Sequence, residues 1–197
     1  MNADMLKGLP AREGHFLLES GYHTDLWLTL DALFVSPRDL APFISELAAR
    51  LRPHGMSVVC GPLLGGAFLA QAIATALGVN FYFSEPVNRS AGFKLFGAEY
   101  RLPAELQQRV RGERIALVDD VISAGSSVRA TATALAACGA SIVAIGALFV
   151  LGSIALDHFA GLEIPVESLG QRDFTLWEPS LCPLCAAGMP LEDQVSA

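Results

Sequence analysis

Apolar residues along the chain fall into short runs separated by small or polar breaks, and two kinds of run alternate. Residues 57–60, 79–83, 114–118 and 141–150 are short and nearly continuously apolar, which predicts strands buried on both faces. Between them, residues 66–77 and 126–138 form longer stretches of small and apolar residues that predict helices. Gly78 and Gly139 stand where each helix would end. Strand, turn, helix and strand repeated in this order predict an α/β fold, a parallel sheet with helices on both faces. Ligands in such sheets bind beyond the carboxyl ends of the strands.

Ahead of this core, residues 15–18 and 26–30 read as strands of a small hood. Ser36 as N-cap and Pro37 in the first turn start a helix that reaches about residue 51 and stops before Pro53. A glycine-containing stretch from 84 to 103 is long enough to be a lid. The chain thus divides into hood elements (1–35), an α/β core with its lid at about 84–103 (36–170) and a tail (171–197), all within one domain. The tail carries Trp177 and the pair Cys182 and Cys185. Phe81, Tyr82 and Phe83 are expected in the core, on a strand covered on both faces.

Composition sharpens this picture. Of 197 residues, 52% are hydrophobic and 17% charged, enough apolar surface for a sizeable core. The mean hydropathy of +0.44 is high for a soluble chain. A membrane span would explain it, but residues 142–151, the most apolar stretch, are interrupted by Gly146 and fall short of the roughly 20 residues a spanning helix needs. Residues 1–10 contain Asp4 and Lys7 and no apolar signal region. The remaining explanation is burial between subunits of a cytoplasmic homo-oligomer. A net charge of −7 argues against a nucleic-acid surface, and the modest basic excess at 101–114 reads as a solvated helix face. Any phosphate ligand must then be held by backbone N–H groups and a metal. Four cysteines in a chain this long do not make a disulfide framework.

Candidate chemistry concentrates between residues 114 and 138. An apolar strand runs into two adjacent carboxylates, Asp119 and Asp120; Ser123, Ala124, Gly125, Ser126 and Ser127 follow, and a helix begins. A loop of small residues at a helix N-terminus presents converging N–H groups and the positive end of the helix dipole to an anion. Adjacent carboxylates cost stability without a cation or hydroxyl partner, so they point to sugar hydroxyls or to Mg²⁺ held through them. A strand end with an Asp cap and a serine-rich turn is the bland alternative.

Residues 117–127 closely resemble the 5-phosphoribosyl-1-pyrophosphate (PRPP) motif of the type I phosphoribosyltransferases: apolar strand, two acids, two apolar residues, then Thr/Ser-x-Gly-Thr/Ser. The resemblance narrows to the bacterial orotate phosphoribosyltransferase branch through residues 14–25, through Gly61-Pro62-Leu63-Leu64-Gly65-Gly66, and through the tail from Trp177. It implies the fold of that family and Mg²⁺-dependent phosphoribosyl transfer from PRPP to a base, orotate first, in pyrimidine synthesis. Another acceptor base, or a PRPP-binding regulatory protein without turnover, are the rival readings. It also implies a dimer.

By the same resemblance, Asp119 and Asp120 face the ribose hydroxyls and Ser123 to Ser127 hold the 5-phosphate. Leu64, Gly65 and Gly66 offer N–H groups to pyrophosphate. Arg89 contributes to PRPP, and Lys94 is the candidate lid cation, with a snorkelling surface lysine as the other reading. His23 lies where the branch borders the base, or is a hydrogen-bonded surface histidine. The chain departs from the branch at Glu19 and Gly65, where lysines are frequent, and at Gly152-Ser153, where an arginine often reads the orotate carboxylate. The lid offers only Arg89, Lys94 and Arg101. Cys182 and Cys185 would supply two of the four ligands a tetrahedral zinc needs, with two tails meeting in a dimer to complete the set; a local structural turn or tail packing is the bland reading. His15, His54 and His158 have no partner that the sequence identifies.

Overall fold

The computed structural model describes residues 11–28, 34–87 and 95–193. Two strands, β1 (Ala11–Leu17) and β2 (His23–Leu28), precede α1 (Pro37–Leu51). The core follows as β3 (Val58–Pro62), α2 (Gly65–Leu77), β4 (Asn80–Pro86), β5 (Tyr100–Arg101) and α3 (Ala104–Gln107). It continues with β6 (Arg114–Ile122), α4 (Ser126–Ala137), β7 (Ser141–Leu151), α5 (Ile154–Ala160) and β8 (Val166–Arg172). The tail adds α6 (Pro183–Ala186) and β9 (Glu192–Asp193).

The six-stranded sheet has the order β5-β4-β3-β6-β7-β8, parallel except for β5 at one edge. Alternation along β6 explains its central place. Ala116 and Val118 pack with Leu47, Leu51, Leu69 and Ile73 from α1 and α2, while Ile115 and Leu117 pack with Val128, Leu135 and Phe159 from α4 and α5. Both faces are therefore covered, as the continuous apolar runs require. Gly146 in β7 lets α1 approach, since a Cβ there would stand 3.0 Å from the Leu51 side chain.

Local signals end the helices where the sequence places them. The Ser36 hydroxyl accepts from the Asp39 N–H at the start of α1. Gly78 adopts φ +71° and donates to the Ala74 carbonyl at 2.8 Å, closing α2.

Four expectations are corrected. β6 runs four residues past 118, so both acids belong to the strand, held by its pairing with β7. β8 is a fifth parallel strand that the sequence pattern did not reveal, because its residues are polar and only half-buried at the sheet edge. The basic stretch 101–114 is not one helix face: α3 is four residues long, and Arg114 opens β6, donating to the carbonyls of Gly55 and His54. Finally, Tyr82 is buried, but Phe81 and Phe83 are half-buried and stack on one another at 6.1 Å, because β4 has only the short β5 beyond it.

The hood is a sheet of its own, ordered β2-β1-β9, which the tail completes. β9 lies parallel to β1, Arg12 meets Glu192 at 2.7 Å, and the backbones of His23 and Trp177 exchange hydrogen bonds. The tail is thus structurally part of the hood.

Candidate active site

β6 presents its two carboxylates to different helices. Asp119 is buried, and its Oδ2 accepts from the Ser127 hydroxyl of α4 at 2.7 Å while Oδ1 accepts from the Asp120 N–H. Asp120 lies against the start of α2: a Cβ on Gly65 would stand 2.7 Å from its Oδ2. A Cβ on Gly66 would stand 2.6 Å from Asp119 Oδ1, and one on Gly61 would be 2.1 Å from the Gly66 carbonyl oxygen. Only glycines allow this approach of loop to acids. Two helix N-termini, at Gly65 and Ser126, therefore frame one acid pair. The first N–H groups of α2 lack intrahelical acceptors, which leaves them for an anion.

Burial pushes the Asp119 carboxyl well above the usual carboxylate range, and the Asp120 charge pushes the same way. The Ser127 hydroxyl bond pulls against both. Next to it, Gly125 takes φ +80° and turns the chain into α4. The Ser126 hydroxyl is buried without a hydrogen-bond partner among the described residues.

A cavity of about 280 Å³ joins this loop to the hood. Ser123 and Gly125 to Ser127 form one wall; Glu19, Ser20 and Trp27 form the facing wall, with Leu151 and Phe174 between. Trp27 and Phe174 were not singled out from sequence. A large aromatic within a predicted hood strand was the available signal for Trp27; Phe174 reaches the cavity only because β8 carries the chain there.

The lid stretch is a hairpin at its base, where β4 and β5 pair and the Val87 N–H donates to the Glu99 carbonyl. It docks on the hood: the Phe96 N–H donates to the Ser20 carbonyl, and its ring meets Tyr22 edge-on and lies under the Arg129 guanidinium at 3.9 Å. Glu19, a frequent lysine position in the resembling branch, accepts from the Tyr100 hydroxyl at 3.0 Å. Arg89 and Lys94 lie outside the described residues. Gly152 adopts φ +74°, and a Cβ there would stand 3.2 Å from the Phe174 carbonyl oxygen.

The structure brings Asp119, Asp120, Gly65, Gly66 and Ser123 to Ser127 together, with Leu64 exposed at the loop ahead of α2. It does not bring His23 to the cavity wall. That ring is buried, turned to the tail, with Nδ1 3.1 Å from His15 Nε2 and 3.3 Å from Cys185 Sγ. The base contact expected of His23 is corrected accordingly: a single β-bridge to Trp177 ties its backbone to the tail, and its side chain meets His15 and Cys185. His15 has partners in this same group, and His54 meets Glu167 at 2.9 Å.

The family model of the phosphoribosyl transferase domain matches residues 38–158. The orotate phosphoribosyltransferase of Thermotoga maritima is 32% identical over 183 residues, covering 91% of this chain and 89% of that one. That of Caldanaerobacter subterraneus is 30% identical over 179 residues, covering 91% and 87%. Among solved structures, adenine phosphoribosyltransferase from Trypanosoma brucei superposes with a TM-score of 0.66 at 18% identity, over 85% of this chain and 78% of that one. Such a likeness shows the fold alone, and a fold shared with an adenine enzyme does not select the base. With acids, glycine loop and serine turn assembled on that fold, the chain belongs to the phosphoribosyltransferase family.

Proposed function

We propose that the protein transfers the phosphoribosyl group of PRPP to orotate with Mg²⁺, giving orotidine 5′-monophosphate and pyrophosphate. The Ser126 hydroxyl carries the reading. It is buried and unpartnered among the described residues at the first position of α4, on the cavity wall. An unmet buried hydroxyl costs about 1–3 kcal/mol, which a phosphate oxygen accepting its hydrogen bond recovers. The choice of orotate is supported by the names of the relatives at 30% and 32% identity.

In this reading the 5-phosphate lies on the N–H groups and hydroxyls of Ser123 to Ser127. Asp119 and Asp120 accept from the ribose hydroxyls, which lowers the raised affinity of Asp119 for its proton. The N–H groups at Leu64, Gly65 and Gly66 meet the pyrophosphate; Mg²⁺, held mainly through PRPP, would supply charge neutralisation there. Trp27 and Phe174 give the planar base two apolar walls; the lid excludes water from the oxocarbenium-like sugar, and its Arg89 and Lys94 are assigned to PRPP. The protein acts as a cytoplasmic homodimer, in keeping with exposed Leu64 and Phe68 on one helix end and the high mean hydropathy.

The test is pyrophosphate release from PRPP and Mg²⁺ with a panel of bases. Release with orotate alone is expected. Release with a different base would overturn the acceptor assignment, and PRPP binding without release for any base would overturn catalysis.

A further inference from the structure

Apart from the catalytic cavity, one cluster of metal-ligating side chains stands out among the described residues. His15 of β1, His23 of β2, and Cys182 and Cys185 flanking the start of α6 bring one ligand atom each to within 4.8 Å of all the others. We infer that these four residues form a structural zinc site that locks the tail onto the hood within a single chain.

Four of the six ligand–ligand spacings lie close to the edges of a zinc tetrahedron, and all six are within 4.8 Å. Zinc bonds of about 2.0–2.1 Å to nitrogen and 2.3 Å to sulfur set ligand–ligand edges of roughly 3.3–3.8 Å in a tetrahedron. His15 Nε2 and His23 Nδ1 are 3.1 Å apart, His15 Nε2 is 3.4 Å from Cys182 Sγ and 3.7 Å from Cys185 Sγ, and His23 Nδ1 is 3.3 Å from Cys185 Sγ. Both imidazoles and Cys182 are buried, and Cys185 closes the site on its exposed side. The orientation of His15 is set from behind: its Nδ1 lies 2.9 Å from the Met189 carbonyl oxygen, so Nδ1 carries the proton and Nε2 presents its lone pair to the cluster. None of the four cysteines is in a disulfide.

Binding converts two thiols to thiolates and releases two protons, giving a neutral centre of two sulfurs and two nitrogens, which suits burial. The ligands come from elements more than 150 residues apart in sequence, yet all from one chain; two tails meeting across a dimer are not needed. The closed four-ligand set leaves no open position for substrate, so the role is structural. Clamping β1 and β2 to the tail holds the wall that carries Trp27 and Ser20 in place over the cavity.

Elemental analysis of the full chain, purified reduced and without chelator and then equilibrated with Zn²⁺, should find one zinc per chain. Replacement by Co²⁺ should produce the strong visible bands of a tetrahedral centre with thiolate ligands. Cys185→Ser and His15→Ala should lose both signals, while Cys138→Ser, which lies outside the cluster, should keep them. Chelation should lower the Tm of the wild type, and Zn²⁺ should restore it. If a variant fails to fold, the wild-type Co²⁺ spectrum decides alone. Zinc far below one per chain, a Co²⁺ spectrum without thiolate character, a Cys182–Cys185 disulfide in the reduced preparation, or full zinc retention in Cys185→Ser would each overturn the inference. None of these readouts depends on which base the enzyme uses.

Discussion

Asp119 is a carboxylate whose own surroundings disfavour its charge. Its folded-state pKa stands above the unfolded value of about 4, so the folded protein holds that proton more tightly. The associated stability is fully present below about pH 4 and is lost as pH rises through the raised folded value. Asp119→Asn removes this loss. Asn keeps Oδ1 as acceptor for the Asp120 N–H, and the Ser127 hydroxyl can turn to accept from the new amide. The variant should melt a few degrees above wild type at pH 8 with a smaller gap at pH 5, and should lose PRPP binding. Equal melting temperatures at pH 8 would show that the charge is already offset. Gly66→Ala should act in the other direction. Its Cβ would stand 2.6 Å from Asp119 Oδ1 and 2.7 Å from the Pro62 ring, so overpacking should cost about 1–3 kcal/mol of stability in denaturant titrations, with PRPP affinity falling as well.

At the level of elements, the proposed function gives the N-terminus of α4 the holding of a ligand and the lid hairpin its enclosure. Ser126→Ala deletes a buried hydroxyl that has no partner among the described residues, so the ligand-free protein should be as stable as wild type or slightly more so. Its KM for PRPP should nevertheless rise about tenfold, the loss of one hydrogen bond of ~1.4 kcal/mol. An unchanged KM would remove that serine from the phosphate site. Phe96→Ala unties the hairpin from Tyr22 and Arg129. Wasteful hydrolysis of PRPP in the absence of a base should then increase relative to transfer, with little change in Tm; an unaltered ratio would mean that the Phe96 ring is not what holds the hairpin. Elements built from local signals were legible in the chain: α1 begins at its Ser36 cap and α2 ends at Gly78. β8 was not, because a half-buried polar edge strand has neither the continuous apolar run nor the strict alternation that marks a strand.

For the molecule as a whole, the central sheet and the hood, which the tail completes, meet around one cavity. Sedimentation should find the proposed dimer at micromolar concentration, and Phe68→Asp should shift it towards monomer if the exposed end of α2 lies in the interface. The acid pair, the glycine loop and the serine turn could be read directly, because each is a contiguous stretch whose residue types already specify backbone shape and charge. So could the parallel sheet, since burial on both faces leaves its strands almost wholly apolar. Other features depended on the folded chain. His23 was assigned to the base from its place in a motif, yet a bridge to Trp177 ties its backbone to the tail and its side chain meets Cys185. His15 had no visible partner until β1 and the tail met, and Glu19 could be read as a departure but not as the acceptor of Tyr100. Local stretches carry their chemistry in sequence order; a site assembled from residues 15, 23, 182 and 185 exists only once long-range packing brings β1, β2 and the tail together.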